Sequence, residues 1–111
     1  MSIAVDLADL PAAIAEQIGW CYLVTVSDEG QARVLAVAPE VSADGALTFE
    51  VGKGTAGNVA ARPAITVVYP PAVATAMSLI VDGSATVEGT TVRLIPTWAV
   101  MHRSALGQTD R

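Results

Sequence analysis

Residues 47–69 read LTFEVGKGTAGNVAARPAITVVY, and three patterns follow one another within them. Leu47, Phe49 and Val51 alternate with Thr48 and Glu50, the period of a strand with one face buried. Glycines at 52, 54 and 57 open a stretch that runs into Asn58, Val59, two alanines, Arg62 and Pro63, which predicts a loop and then a two-turn helix stopped by the proline. Ala64 to Tyr69 is β-branched and returns the chain to a strand.

On either side the pattern is that of hairpins. Before it, WCYLVTVS (20–27) meets the turn signal Asp28-Glu29-Gly30, and Ala32 to Ala38 follows as the second strand. Both strands are apolar on both faces except at Arg33, so one face is expected to meet the core and the other an interface or a ligand. After it, Ala76 to Val87 is a long strand in which Asp82-Gly83 predicts a bulge, and Thr91 to Met101 is another in which Pro96 demands an edge or a bulge. Leu10, Ile14 and Ile18 fall at helical spacing near the start, with Asp9 as the expected cap and Gly19 as the stop. Residues after Arg103 are expected to form a mobile tail.

The fold class this predicts is mainly β: a six-stranded antiparallel barrel with an N-terminal helix and a short helix between strands 3 and 4. At 111 residues the chain is expected to form one domain, with its core over about 8–101. Apolar residues make up 52% of it, and a domain of this size leaves roughly a third of its surface exposed. Some apolar surface is therefore expected to meet a partner, most simply a second copy in a homodimer.

A net charge of -5, with one lysine and five scattered arginines, argues against a nucleic-acid surface. Pro63 to Val81 carries no charge and approaches the length of a membrane span, but Pro70-Pro71 breaks it, so no membrane partner is expected. The start of the chain has no basic residue before its apolar positions, and a single cysteine fits a reducing compartment, so a cytoplasmic location is expected.

Cys21, between Trp20 and Tyr22, reads as a buried thiol rather than a nucleophile. Cys21 and His102 have no ligand spacing, so no metal site is expected. Glycines at 52–57 let the backbone approach an anion, and Lys53, Thr55 and Asn58 add donors there; taken alone, the same residues read more readily as a plain connecting loop. Arg33 suits a phosphate by its guanidinium fork, or else reaches water past the end of the sheet. Trp98 offers a flat surface for a planar ring, or for packing.

The order of elements, together with WCYLVTVSDEGQARVLAVAPEV, LTFEVGKGTAGNVAARPAITVVY, SLIVDGSATVEG and VRLIPTWAV, resembles the pyridoxamine 5'-phosphate oxidase-like family of FMN-binding split barrels over roughly residues 8–101. The resemblance implies a homodimer with flavins at the subunit interface. It implies that Arg33 holds the FMN phosphate with Lys53, Thr55 and Asn58, and that Trp98 lies near the ring. Asn58-Val59 and Arg62-Pro63 keep the family pattern, whereas Lys53 and Thr55 stand in exchanged order relative to its hydroxyl and basic positions. The substrate-binding arginines that the oxidase of vitamin B6 metabolism carries near its C-terminus have no match here. The activity implied is that of an FMN-dependent reductase passing a hydride or electrons between a nicotinamide and a small acceptor of unknown identity. The alternatives are a non-catalytic carrier or sensor of a flavin, a deazaflavin or haem, with His102 as the candidate haem ligand, and a cofactor-free dimeric module.

Overall fold

The computed structural model describes residues 2–105. The elements run β1 (Ser2–Ala4), a 3-10 turn (Leu7–Asp9), α1 (Leu10–Ala15), β2 (Cys21–Val26), β3 (Ala32–Val37), β4 (Glu40–Val41) and β5 (Leu47–Glu50). There follow α2 (Lys53–Ala61), β6 (Ala64–Tyr69), β7 (Met77–Glu88) and β8 (Thr91–Arg103). The tail expected after Arg103 lies, from residue 106, outside the described residues.

The strands form one antiparallel sheet in the order β3-β2-β6-β7-β8-β5-β4, with β1 added to β8. The sheet is a half-barrel, and it has eight strands rather than the six expected. The two extra strands, β1 and β4, are too short for a periodic signal: three residues pair with the far end of β8, and two pair with β5. Helix α1 also ends earlier than its apolar spacing predicts, and Asp9 makes no side-chain cap; the preceding 3-10 turn supplies the entry instead. The glycine-rich stretch is not a loop, since Gly52 is the N-cap and α2 begins at Lys53. Burial of Ala56 and Val59 against the sheet offsets the low helix propensity of Gly54 and Gly57.

Each strand divides its residues between two faces. Cys21, Leu23, Ile65, Val67, Tyr69, Leu79, Val81, Val92 and Leu94 fill the inner face, and α1 and α2 close over it with Leu10, Ile14 and Val59. The register places the outer side chains in rows: Val34, Val24, Thr66, Asp82 and Trp98 in one, and Ala36, Tyr22, Val68, Ile80 and Val100 in the next.

β8 pairs with β7 along its whole length, and on its other edge with β5 over Thr91–Leu94 and with β1 near its end. Pro96 sits in the gap between those two partners, where no donor is needed. The register shifts between Asp82 and Gly83, and the extra residue is Thr97 on β8, so the bulge lies beside Pro96, one of the two positions expected to carry it, and not on β7. Thr97 turns its hydroxyl to the Asp82 carbonyl at 3.3 Å. The shift brings the Ile95 carbonyl over Gly83, where a Cβ would lie 2.3 Å from that oxygen.

Gly83→Ala is therefore expected to cost at least about 2 kcal/mol, since backbone and not a flexible side chain would have to move. Gly57→Ala, inside α2 with nothing within 4 Å of an added methyl, should instead add up to about 1 kcal/mol. Thermal or urea unfolding of the two variants checks both signs.

Candidate functional site

The β2–β3 hairpin closes through a turn in which the Gly30 amide donates to the Ser27 carbonyl and the Ser27 amide to the Gln31 carbonyl, both at 2.9 Å. Gly30 takes φ +80°, the left-handed conformation that a three-residue hairpin loop places at this position. Thr25 and Arg33 lie opposite each other in the ladder, so both side chains leave the sheet on the inner face.

α2 is bound to this hairpin by side chains. The Asn58 amide donates to the Thr25 hydroxyl at 3.3 Å, and Thr25 is buried. Arg62 donates through Nε to the Val26 carbonyl at 2.7 Å and pairs with Asp28 at 2.9 Å. That exposed ion pair adds little energy by itself, but the two bonds from one guanidinium fix the helix against the turn.

Between α2 and the hairpin lies an open cleft of about 400 Å³, lined by Ser27, Glu29, Arg33, Val34, Leu35, Gly54, Thr55 and Asn58. Three residues singled out by the sequence, Arg33, Thr55 and Asn58, meet here. The first helical bond of α2 runs from the Ala56 amide to the Gly52 carbonyl, and no side chain caps the helix. The amides of its first turn are consequently free to meet an anion. Arg33 donates only to its neighbour's carbonyl, Ala32, at 3.2 Å, and is in no ion pair among the described residues. A cationic fork and the positive end of a nine-residue helix thus share one depression.

The other predicted residues are placed differently. Lys53 stands exposed on the first turn of α2, outside the cleft lining. Trp98 is on the outer face opposite Asp82, four strands from β3, which is roughly 19 Å at ordinary strand spacing. His102 lies near the far end of β8, paired in register with Ser2 and Ser78. The sequence reading overlooked Glu29 and Ser27 as members of the cleft; the turn signal Asp28-Glu29-Gly30 was visible, but not its fold back towards α2.

A second depression of about 380 Å³ lies between α1 and the β4–β5 turn, lined by Pro11, Ile14, Ala15, Val41, Ser42 and Ala43. Within that turn Asp44 accepts from the Ser42 hydroxyl and from the Ala46 amide at 3.1 Å. Those bonds, with Arg93 beside them, hold the Asp44 carboxyl below its usual range.

No family model matches the chain, and no curated protein matches it. Among solved structures it is similar to the FAD binding protein from Mycobacterium smegmatis, with 17% identity, a TM-score of 0.66, and 93% of this chain and 98% of that chain covered. It is also similar to an F420 reductase, with 16% identity, a TM-score of 0.56, and 87% of this chain and 95% of that chain covered. At such identities the likeness is one of fold: the chain has a split-barrel fold. Among the described residues no helix is long and apolar enough to cross a membrane.

Cys21 lies on the inner face with no exposed surface, and burial pushes its thiol up to about 11 despite a hydrogen bond with Tyr69 that acts the other way. Burial likewise raises the Tyr69 phenol, with Cys21 beside it contributing. The thiolate needed for attack is scarce at pH 8 and out of reach. A disulfide reagent at that pH should leave Cys21 unlabelled in the folded protein and label it fully in denaturant.

Proposed function

We propose that the chain is a flavin-binding split-barrel protein that works as a homodimer and holds the phosphate of FMN or a related flavin in the cleft between α2 and the β2–β3 hairpin. The convergence of Arg33 with the uncapped start of α2 carries this reading. Arg33 supplies the fork, Thr55 a hydroxyl, and the first-turn amides the remaining donors, with Gly54 leaving the backbone open to close approach. Asn58 has one amide hydrogen committed to Thr25, so its main work is to set the helix in place. Lys53, on the same turn, contributes its charge from the rim.

A bound flavin would supply hydride and electron transfer, and a nicotinamide paired with a small acceptor is the reaction class proposed. The protein's part is to bind and orient it. Glu29 is the one carboxylate among the cleft-lining residues, and no histidine lines it, an arrangement that also suits a carrier or sensor with no turnover of its own.

The dimer reading rests on the outer face. Val34 is 61% exposed and Trp98 49%, and Tyr22, Val26 and Ile95 are exposed with them. The register brings these side chains, with Val24, Val68 and Ile80, onto one largely apolar face across β3, β2, β6, β7 and β8, interrupted by Thr66, Asp82 and Ser84. A second copy related by a two-fold axis would present the same surface in return. Trp98, remote from the cleft of its own chain, would then lie inside the assembly.

Titration with FMN, followed by flavin fluorescence, should show saturable binding at one flavin per chain. Arg33→Ala should weaken it by about tenfold or more, the loss of a charge-assisted pair, with the thermal transition unchanged. Equal affinity in the variant would remove Arg33 from the site. In light scattering the protein should have the mass of two chains, and Val68→Lys, at the centre of the outer face, should shift it towards one chain while retaining its circular dichroism.

A further inference from the structure

The wall of the cleft that carries Arg33 is cantilevered from the sheet. β2 pairs with β6 only over residues 22–24, and β3 is the terminal strand of the sheet path. The hairpin beyond Val24 therefore has no further strand on either side among the described residues. The Ser27 amide bonds to the Gln31 carbonyl, so by the alternation of an antiparallel pair the Val26 carbonyl points away from β3, to the side where β6 lies. No residue of β6 is paired with Val26. Arg62 donates from Nε to that carbonyl at 2.7 Å, in place of the missing strand.

The same guanidinium reaches Asp28 in the turn at 2.9 Å, while Asn58, one turn earlier on α2, donates to the Thr25 hydroxyl at 3.3 Å. Thr25 is the ladder partner of Arg33. The opposite wall is α2 itself, with Gly54 and Thr55 near its start. α2 is fixed on the core by Ala56 and Val59, and just past its end the Ala85 amide of β7 donates to the Pro63 carbonyl at 2.9 Å. The hairpin tip is in turn fixed on α2. Arg62 does not line the cleft, yet its bonds set how far Arg33 stands from the first helical turn. That spacing decides whether one phosphate meets both, because a charge-assisted bond holds its length to within a few tenths of an ångström.

We propose that Arg62 is a positioning residue for phosphate recognition: its fork clasps the β2–β3 tip to α2 and holds Arg33 at the spacing from the helix start that a phosphate bridges. The proposal rests on the phosphate-cleft reading given above. Its action requires the fork and not the charge. Asp28 already neutralises the charge, and lysine's single nitrogen lacks the two separate donors that reach Val26 and Asp28 here.

The test measures, by flavin fluorescence in the full chain, the affinities of FMN and of riboflavin, which lacks the phosphate. Arg62→Ala and Arg62→Lys should each weaken FMN about fivefold and riboflavin by less than about a factor of two. In an Arg33→Ala background, Arg62→Ala should cost FMN less than about a factor of two, because the group it positions is gone. A purely structural role would weaken both flavins alike, or add in full to Arg33→Ala, and either result overturns the proposal. So does unchanged FMN affinity in Arg62→Ala, or full recovery in Arg62→Lys, which would make charge the cause. If the unaltered protein binds FMN no more tightly than riboflavin, or Arg33→Ala leaves FMN unaffected, the cleft reading falls and takes the proposal with it. Arg62→Lys, which retains the aliphatic stem, decides between these outcomes if the thermal transition of Arg62→Ala falls near the assay temperature.

Discussion

The pairing of β8 with β7, and the point at which its register slips, governs the rest of the molecule. β8 is the strand to which β7, β5 and β1 all attach, so any change in its course moves both ends of the sheet. Thr97 is the residue inserted, and the resulting bend passes the Ile95 carbonyl over Gly83 at a distance that only a residue without a Cβ tolerates. One extra residue on one strand and one missing side chain on the other thus give the sheet its curl. The concave side of that curl is what α1 and α2 cover.

At the opposite end of the sheet the constraint is polar. β3 is the terminal strand of the sheet path and contributes little to the core, Val37 being its only buried residue. What holds the hairpin to α2 is a small set of directed bonds: Asn58 to Thr25, and Arg62 to Val26 and Asp28. Their effect is to set the first turn of α2 alongside Arg33, so that free amides and a guanidinium in no ion pair among the described residues share one space. The glycines that weaken α2 as a helix leave its first turn unobstructed, a local conflict between propensity and position of the kind found where a fold carries a site.

The strands were legible wherever apolar alternation or β-branching ran for four residues or more, because burial of one face leaves a period of two. β1 and β4 fell below that length and exist only because β8 and β5 offer them an edge. The bulge was legible as a place but not as a strand: Asp82-Gly83 and Pro96 both marked it, yet whichever strand carries the extra residue, the same two positions face each other. Arg33, Thr55 and Asn58 were legible as donors, and their meeting followed from the order of elements. Glu29 was not, since a carboxylate in a hairpin turn looks the same whether the turn points to solvent or folds back over a helix. Trp98 showed the reverse difficulty: its ring type invited a ligand role, while its face of the sheet depended on a register that the bulge resets by one residue.

β3 is where the two surfaces of the sheet come closest. Leu35 is on the inner face opposite Leu23, Val34 on the outer face opposite Val24, and both line the cleft. The cleft therefore opens around the edge of the sheet and not into its centre, and the most exposed apolar side chain on its rim, Val34, belongs to the outer surface as well. On the reading proposed above, a second copy laid on that surface would bury Val34 and form part of the wall that a bound flavin ring meets. Ligand binding and subunit pairing would then share free energy through this one strand, each raising the affinity of the other, without any movement of the core. Asp82 fits the same arrangement: the one carboxylate in the middle of the outer rows is bonded to Thr66 at 2.5 Å within its own chain, so it needs no partner from the other copy when water is excluded.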